Sequence, residues 1–344
     1  MDWKSSRLLR IVAGVVLFGA LMGLRSSFGP AWAKILVAAV AGGVLGVTMM
    51  TARARNGTPR GAAVAALAAL AALSLSACTN LSAVRTFATT SAVAVENREV
   101  LIDYAQAPTV IARLAPAGQA ASLDSLAKER SKQRGRLWSV QRVLGHYFRT
   151  LADLAASSLP SANPEIGALV VSLEDAKGAV GASAITNGTI DAAGSIAKVL
   201  TRLSLDGWRQ ARVGEIVREV DPSVQRSVAG LGEVVTQDFS ASLDQEADAI
   251  RNYFGTAFAD ARSRGEEEAA GRLARYLQAE ALDGVAARRR KLKPYAEALA
   301  KIGKGHAELA ADGGKLDGKS LVEKLKQLSK ELATLASAAG TLED

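Results

Sequence analysis

Cysteine, histidine and aromatic residues are scarce in this 344-residue sequence, which contains one cysteine, two histidines and 5 % aromatic residues. A single cysteine excludes an intramolecular disulfide framework and a metal site built from several cysteines. Few aromatic side chains and abundant alanine favour helices that pack through small side chains over a thick globular core. The lone cysteine, Cys78, and the helical pattern of the remaining chain therefore carry most of the information.

Positive charge is in excess, with a net charge of +8, but the excess is confined to the N-terminal region. Residues 1–78 contain eight of the 42 Lys and Arg residues and one of the 34 Asp and Glu residues, which leaves 34 basic and 33 acidic groups in residues 79–344. A nucleic-acid-binding protein would carry its basic excess in the folded part. Lys and Arg residues that flank apolar segments mark the cytoplasmic side of a membrane instead. We expect no nucleic-acid partner.

Three apolar runs open the chain, at residues 11–24, 35–50 and 62–77. Each run is somewhat shorter than the roughly 20 residues that cross a bilayer. We interpret residues 1–48 as a hydrophobic hairpin of two possible transmembrane helices, or as an over-extended start of the reading frame. Residues 49–77 are either a signal peptide or a third membrane segment, because a basic stretch precedes an apolar run that ends in small residues.

The third run ends in Leu75-Ser76-Ala77-Cys78. These four residues resemble the lipobox of bacterial lipoproteins. The resemblance implies that the Cys78 thiol receives a diacylglycerol, that the signal is cut just before it, and that the new amino group is acylated. The presence of Thr79, rather than an aspartate, implies sorting to the outer membrane, facing the periplasm, in a bacterium with two membranes. The alternative is a buried cysteine in a third membrane helix, where a thiol behaves as a small hydrophobic group.

The body of the chain, residues 78–344, is predicted to be an exported all-α domain, an elongated antiparallel bundle with coiled-coil-like seams. No protein family is identified for this part. Strand signals are scarce, and breaks between helices are predicted at Pro108/Pro116, Pro160/Pro164, Asn187-Gly188, Asp221-Pro222, Gly265 and Gly313-Gly314. The predicted helices cover residues 80–106, 120–158, 164–184, 189–220, 223–263, 266–311 and 320–340.

Three of these segments carry apolar residues at alternating spacings of three and four, which place one narrow stripe on each helix. The first stripe consists of Leu123, Leu126, Arg130, Gln133, Leu137, Val140, Leu144, Tyr147, Leu151 and Leu154. The second consists of Leu292, Tyr295, Leu299, Ile302, His306 and Leu309, and the third of Leu321, Leu325, Leu328, Leu332 and Leu335. The spacing predicts helices that pack along their lengths.

One motif suggests nucleotide binding, because Gly313, Gly318, Lys319 and Ser320 match the phosphate-loop pattern. Such a loop needs a buried strand before it, so that backbone amides and a helix start converge on phosphate. The preceding residues are polar and helical in pattern. We therefore reject a nucleotide site and expect a helix–helix turn, with Ser320 and Glu323 forming a capping box.

No other pattern indicates catalysis or a cofactor. His306 lies on a seam, where we expect a buried and hydrogen-bonded imidazole, and His146 lies one place off a seam, at a helix boundary with solvent. Neither has the spacing of metal ligands. The basic cluster at 287–293 is expected to be an exposed face, with contact to anionic lipid as an alternative. Residues 178–197 contain one charge and four glycines, and we expect either close helix packing with a hairpin tip or a membrane-seeking tongue.

The sequence therefore predicts a lipid-anchored envelope protein that acts as a non-catalytic helical scaffold or partner-binding module. Its expected partners are membrane lipid, through acylated Cys78, and an envelope protein. Two alternatives remain at this point. One is a membrane-perturbing or pore-forming protein that uses residues 178–197, and the other is a polytopic membrane protein with uncleaved N-terminal helices.

Overall fold

A computed structural model describes residues 81–156, 167–171, 173, 186–205, 212–266, 268–312 and 316–340. Nearly all of these residues are helical, and none of them lies in a β-strand. The predicted all-α bundle is confirmed. The N-terminal segments assigned to residues 1–48 and 49–77 lie outside the described residues.

The helices of the bundle are numbered here in chain order. They are α1 (Ser82–Val95), α2 (Arg98–Leu114), α3 (Ala120–Ala155), α4 (Asn187–Leu205), α5 (Val213–Glu233), α6 (Ser240–Ser263), α7 (Ala269–Asp312) and α8 (Lys319–Ala339). A short 3-10 helix, Ala117–Gln119, precedes α3, and a π-helical stretch, Val234–Phe239, joins α5 to α6. At 1.5 Å per residue the 44 residues of α7 extend for about 66 Å.

Two long helices organise the packing. Helix α3 packs against α1, α2 and α4, and α7 packs against α5, α6 and α8, while α8 also packs against α1. Helices α1 and α7 run antiparallel, because Phe87 lies beside Gly305 and the backbone of Val95 lies beside Tyr295. The contact at Gly305 is close: a Cβ atom there would lie 2.3 Å from the Phe87 ring. A side chain at position 305 would therefore force two helices apart.

The three predicted seams are buried over most of their length. All six seam residues of α7 are buried, and so are the first four seam residues of α8. In α3 the buried part of the seam begins at Gln133, whereas Leu126 remains 38 % exposed. The first turns of α3 therefore have the apolar spacing of the seam but lie outside the packed core.

Several predicted helix boundaries were wrong. Pro108 lies inside α2 and Pro222 lies inside α5, so neither residue ends a helix. A proline inside a helix removes one backbone hydrogen bond. In α5 the buried residues Val217, Val220 and Val224 continue on one face past Pro222, so apolar packing keeps the helix continuous there.

A break that the sequence did not predict separates α1 from α2. Asn97 is 2 % exposed at this point and its side chain accepts a hydrogen bond from the backbone N–H of Val100, as an N-cap residue does. Its amide group also donates to the carbonyl of Ala339 at the end of α8, 3.1 Å away. One side chain thus starts α2 and ties it to the last helix.

Candidate functional site

The proposed lipid attachment residue, Cys78, and the lipobox residues Leu75, Ser76 and Ala77 lie outside the described residues. The first described residue is Leu81, and α1 begins immediately after it at Ser82. At most about 11 Å of extended chain separates Cys78 from Leu81. The first turn of α1 is therefore the described part of the body that follows most closely after Cys78 along the sequence.

The phosphate-loop pattern spans the connection between α7 and α8. Gly318 is the N-cap of α8, Lys319 is its first residue, and Gly313 lies outside the described residues. The element before this connection is α7, a helix, where a phosphate loop requires a strand. The predicted capping box was wrong, because Ser320 lies inside α8 and no side chain caps its start.

Part of the proposed membrane-seeking tongue, residues 178–197, is described. Its residues from Asn187 onward form the first half of α4, and the Thr186 hydroxyl accepts a hydrogen bond from the backbone N–H of Thr189 at the start of this helix. Ile190 and Ile196 are fully buried. This part packs within the bundle, and Asn187 and Gly188 form the start of its helix, whereas residues 178–185 lie outside the described residues. Across the described residues, no helix combines the length and the apolarity needed to cross a bilayer.

The basic cluster at 287–293 joins helices rather than forming a plain exposed face. Arg288 on α7 makes two hydrogen bonds to the carboxylate of Glu246 on α6, at 2.9 and 2.5 Å. Arg289 pairs with Asp244 of α6 at 2.5 Å, and Lys291 pairs with Glu99 of α2 at 2.7 Å. The Glu246 side chain is only 2 % exposed, so its charge depends on Arg288 for compensation.

A chain of polar side chains crosses the core where α3, α5 and α7 meet. The Tyr147 hydroxyl on α3 lies 2.6 Å from Nε2 of His306 on α7, and Nδ1 of His306 lies 2.7 Å from Oδ1 of Asp221 on α5. The Gln225 amide donates to Asp221 Oδ1 at 2.9 Å and to the carbonyl of Gly303 at 2.8 Å. These side chains link all three helices.

Burial and hydrogen bonding together set the protonation states of Tyr147, His306 and Asp221. Burial lowers the pKa of His306 below its usual value of 6.5, although the hydrogen bond to Asp221 partly opposes that shift. The hydrogen bond with His306 lowers the pKa of Asp221, and burial raises the pKa of the Tyr147 hydroxyl well above its usual range. At neutral pH the three side chains are therefore a neutral phenol, a neutral imidazole and an ionised carboxylate.

The arrangement has the residue types of a proton relay, but the reactive atoms are out of reach of a substrate. His306 has no exposed surface and Tyr147 is 1 % exposed. The sequence placed both residues on seams, and the burial predicted for His306 is confirmed. Sequence reasoning missed Asp221 as their partner, because it assigned Asp221-Pro222 to a helix break. Among the described residues, no three His, Cys, Asp or Glu side chains are placed to hold a metal ion.

An apolar surface lies near the start of α7, and we name Leu273, Tyr276 and Leu277 the α7 apolar face. Their side chains are 58 %, 67 % and 41 % exposed. On the α6 side of the helix, Arg275 stacks on Phe258 with 5.0 Å from the guanidinium carbon to the ring centre. Each residue turns the helix by 100°, so Leu273 and Leu277, two positions either side of Arg275, point away from α6. The face is solvent-exposed in the folded chain.

Comparisons of this chain with protein-family models, with curated proteins and with solved structures find no match.

Proposed function

We propose that this protein is an exported, lipid-anchored cell-envelope protein that works as a non-catalytic helical scaffold and binds a protein partner. The observation that carries the anchor is the lipobox-like Leu75-Ser76-Ala77-Cys78 after a basic and an apolar segment. Two or more acyl chains hold a protein stably on a membrane, whereas one holds it marginally. Acylated Cys78 would therefore hold the body at an envelope membrane, which we propose is the outer membrane facing the periplasm where two membranes are present.

The direction of the helices supports a role in presenting a surface away from the anchor. Because α1 runs antiparallel to α7, its first turn lies toward the C-terminal end of α7, beyond Gly305. The α7 apolar face lies near the other end of the same helix. Between Gly305 and Tyr276, 29 residues of helix extend for about 44 Å. The anchored end of the body and its apolar face are thus well separated along α7.

The composition of the α7 apolar face supports a protein partner. Tyrosine and leucine are apolar enough to gain free energy when a partner covers them, and tyrosine is enriched among the residues that dominate binding energy. Tyr276 is the most exposed of the three at 67 %. Charged residues such as Arg272 and Glu280 border the face and are exposed. An apolar centre with a polar rim is the usual anatomy of a protein–protein interface.

We expect wild-type protein to incorporate labelled palmitate and to be isolated from membranes as a mature species that begins at residue 78. Cys78→Ala should take up no label and should accumulate as a heavier precursor, because the acylated thiol is required before the signal is cut. Thr79→Ala, at the neighbouring position, is the matched control and should still be labelled. Unlabelled wild-type protein that retains residues 1–77 would contradict the anchor and would favour a polytopic membrane protein.

A photo-crosslinking residue at Tyr276 should yield one discrete heavier species in intact cells, because this position lies at the centre of the α7 apolar face. The control is the same residue at Lys293, which is on the same helix and has a side chain 85 % exposed. Mass spectrometry of the product would identify the partner. Equal crosslinking at both positions, or none at Tyr276, would contradict partner binding through this face.

A further inference from the structure

The hydrogen bonds that link Tyr147, His306 and Asp221 are all made only when the imidazole is neutral. In the neutral ring, Nδ1–H donates to the Asp221 carboxylate and Nε2 accepts the hydrogen of the Tyr147 hydroxyl. Protonated His306 has two donors and no acceptor. The Tyr147 oxygen would then have to accept from Nε2–H, and the hydroxyl hydrogen would need a new acceptor in a buried site.

The described neighbours of the Tyr147 and His306 rings are aromatic, and an aromatic ring accepts a hydroxyl hydrogen only weakly. The Phe148 ring lies edge-on to His306 with 6.1 Å between ring centres, and Phe148 and Phe87 are both fully buried. A hydroxyl that points toward aromatic rings loses its hydrogen bond and the cost of its desolvation is not recovered. One proton on His306 would therefore disturb the bond that joins α3 to α7.

The residues that face His306 from the neighbouring helices determine which charges it meets. From α3 the group is Tyr147, from α5 it is Asp221, and from α1 the neighbour is Phe87, which has no charge. On α8 the charged groups that pair with this part of α7 are Lys324, which pairs with Glu308, and Glu331, which pairs with Lys301. Asp221 is 23 % exposed and contacts the ring directly, so it gives protons a route from solvent to the imidazole.

We propose that the Tyr147–His306–Asp221 chain is a proton-sensitive latch, in which uptake of one proton by His306 loosens the junction of α3, α5 and α7. Opening of this junction would also release a second tie, because Gln225 bonds both to Asp221 of α5 and to the Gly303 carbonyl of α7. The latch is independent of the lipid anchor and of the α7 apolar face. It belongs to the folded core alone.

The sign of the pH dependence follows from burial. Because the pKa of His306 is lowered in the closed state, the open state binds a proton more tightly, and acid favours opening as pH falls below the ordinary value of 6.5. Asp221 has a lowered pKa, so its stabilising contribution persists until pH falls to about its ordinary value of 3.8. Burial raises the pKa values of Asp103 and Asp238, which therefore act with the opposite sign.

Hydrogen exchange of the full-length protein in detergent tests the latch between pH 7 and pH 5, with protection factors corrected for the intrinsic exchange rate. Protection in peptides from α5 and from residues 295–312 should fall reversibly with acid. Each unit by which closure lowers the pKa of His306 makes opening about tenfold more frequent in acid. His306→Gln, which has no titrating ring, should abolish this dependence, and His146→Gln should leave it unchanged. Unchanged wild-type protection, or acid opening that persists in His306→Gln, would overturn the proposal.

A second measurement applies even if His306→Gln does not fold. Because the chain has only two histidines, nuclear magnetic resonance of the wild-type imidazoles can follow each one, with His146→Gln giving the assignment. The acid midpoint of the exchange change should coincide with the titration of His306. If His306 titrates without any change in protection, or protection is lost while His306 remains neutral, the latch is wrong.

Discussion

Replacing Arg288 with methionine should lower the free energy of unfolding by about 3–5 kcal/mol, because it leaves a buried carboxylate without its partner. That carboxylate is Glu246, which is 2 % exposed and receives both hydrogen bonds of the guanidinium fork. The matched control is Arg251→Met, since Arg251 pairs with Asp248 where both side chains are more than half exposed. Exposed pairs contribute only about 0–1 kcal/mol. Guanidinium denaturation of each purified variant gives the comparison.

A double replacement separates the lost charge partner from lost packing. Glu246→Leu combined with Arg288→Met should recover most of the stability, because an apolar pair of similar volume avoids the desolvation of two charges. Equal unfolding midpoints for Arg288→Met and Arg251→Met would contradict the view that the basic cluster holds α6 against α7. A double variant as unstable as Arg288→Met would instead assign the effect to packing.

Truncation of Leu151 to alanine should cost about 2–5 kcal/mol, because it removes three methyl-sized groups from a packed site and leaves a cavity. Leu151 lies on the α3 seam and is 1 % exposed. Leu273→Ala makes the same chemical change on the α7 apolar face, where the side chain is 58 % exposed. Exposed substitutions usually remain within about 0.5 kcal/mol. Similar losses from both variants in a urea titration would show that the seam is not the core.

The helices with regular seams were predicted well from the sequence. The boundaries of α3, α7 and α8 lie within a few residues of the predicted segments, since spacings of three and four repeat with the pitch of a helix. Predictions from proline and from local capping were less accurate. Pro222 does not end α5, because the packing of buried valines before and after it outweighs one lost hydrogen bond. Ser320 does not cap α8, because the helix begins one residue earlier, at Lys319, with Gly318 as its N-cap.

The sequence by itself determined the all-α class, the seam residues and the burial of His306. It also contains the lipobox-like segment that supports the proposed anchor. Only the tertiary structure decided that Asp221 meets His306, that Arg288 neutralises Glu246, and that the start of α7 exposes an apolar face. Periodicity assigns a side chain to one face of a helix, but the helix that meets that face is set by how all the helices pack together. The two pairings join residues 85 and 42 positions apart, distances over which no local pattern in the sequence can pair them.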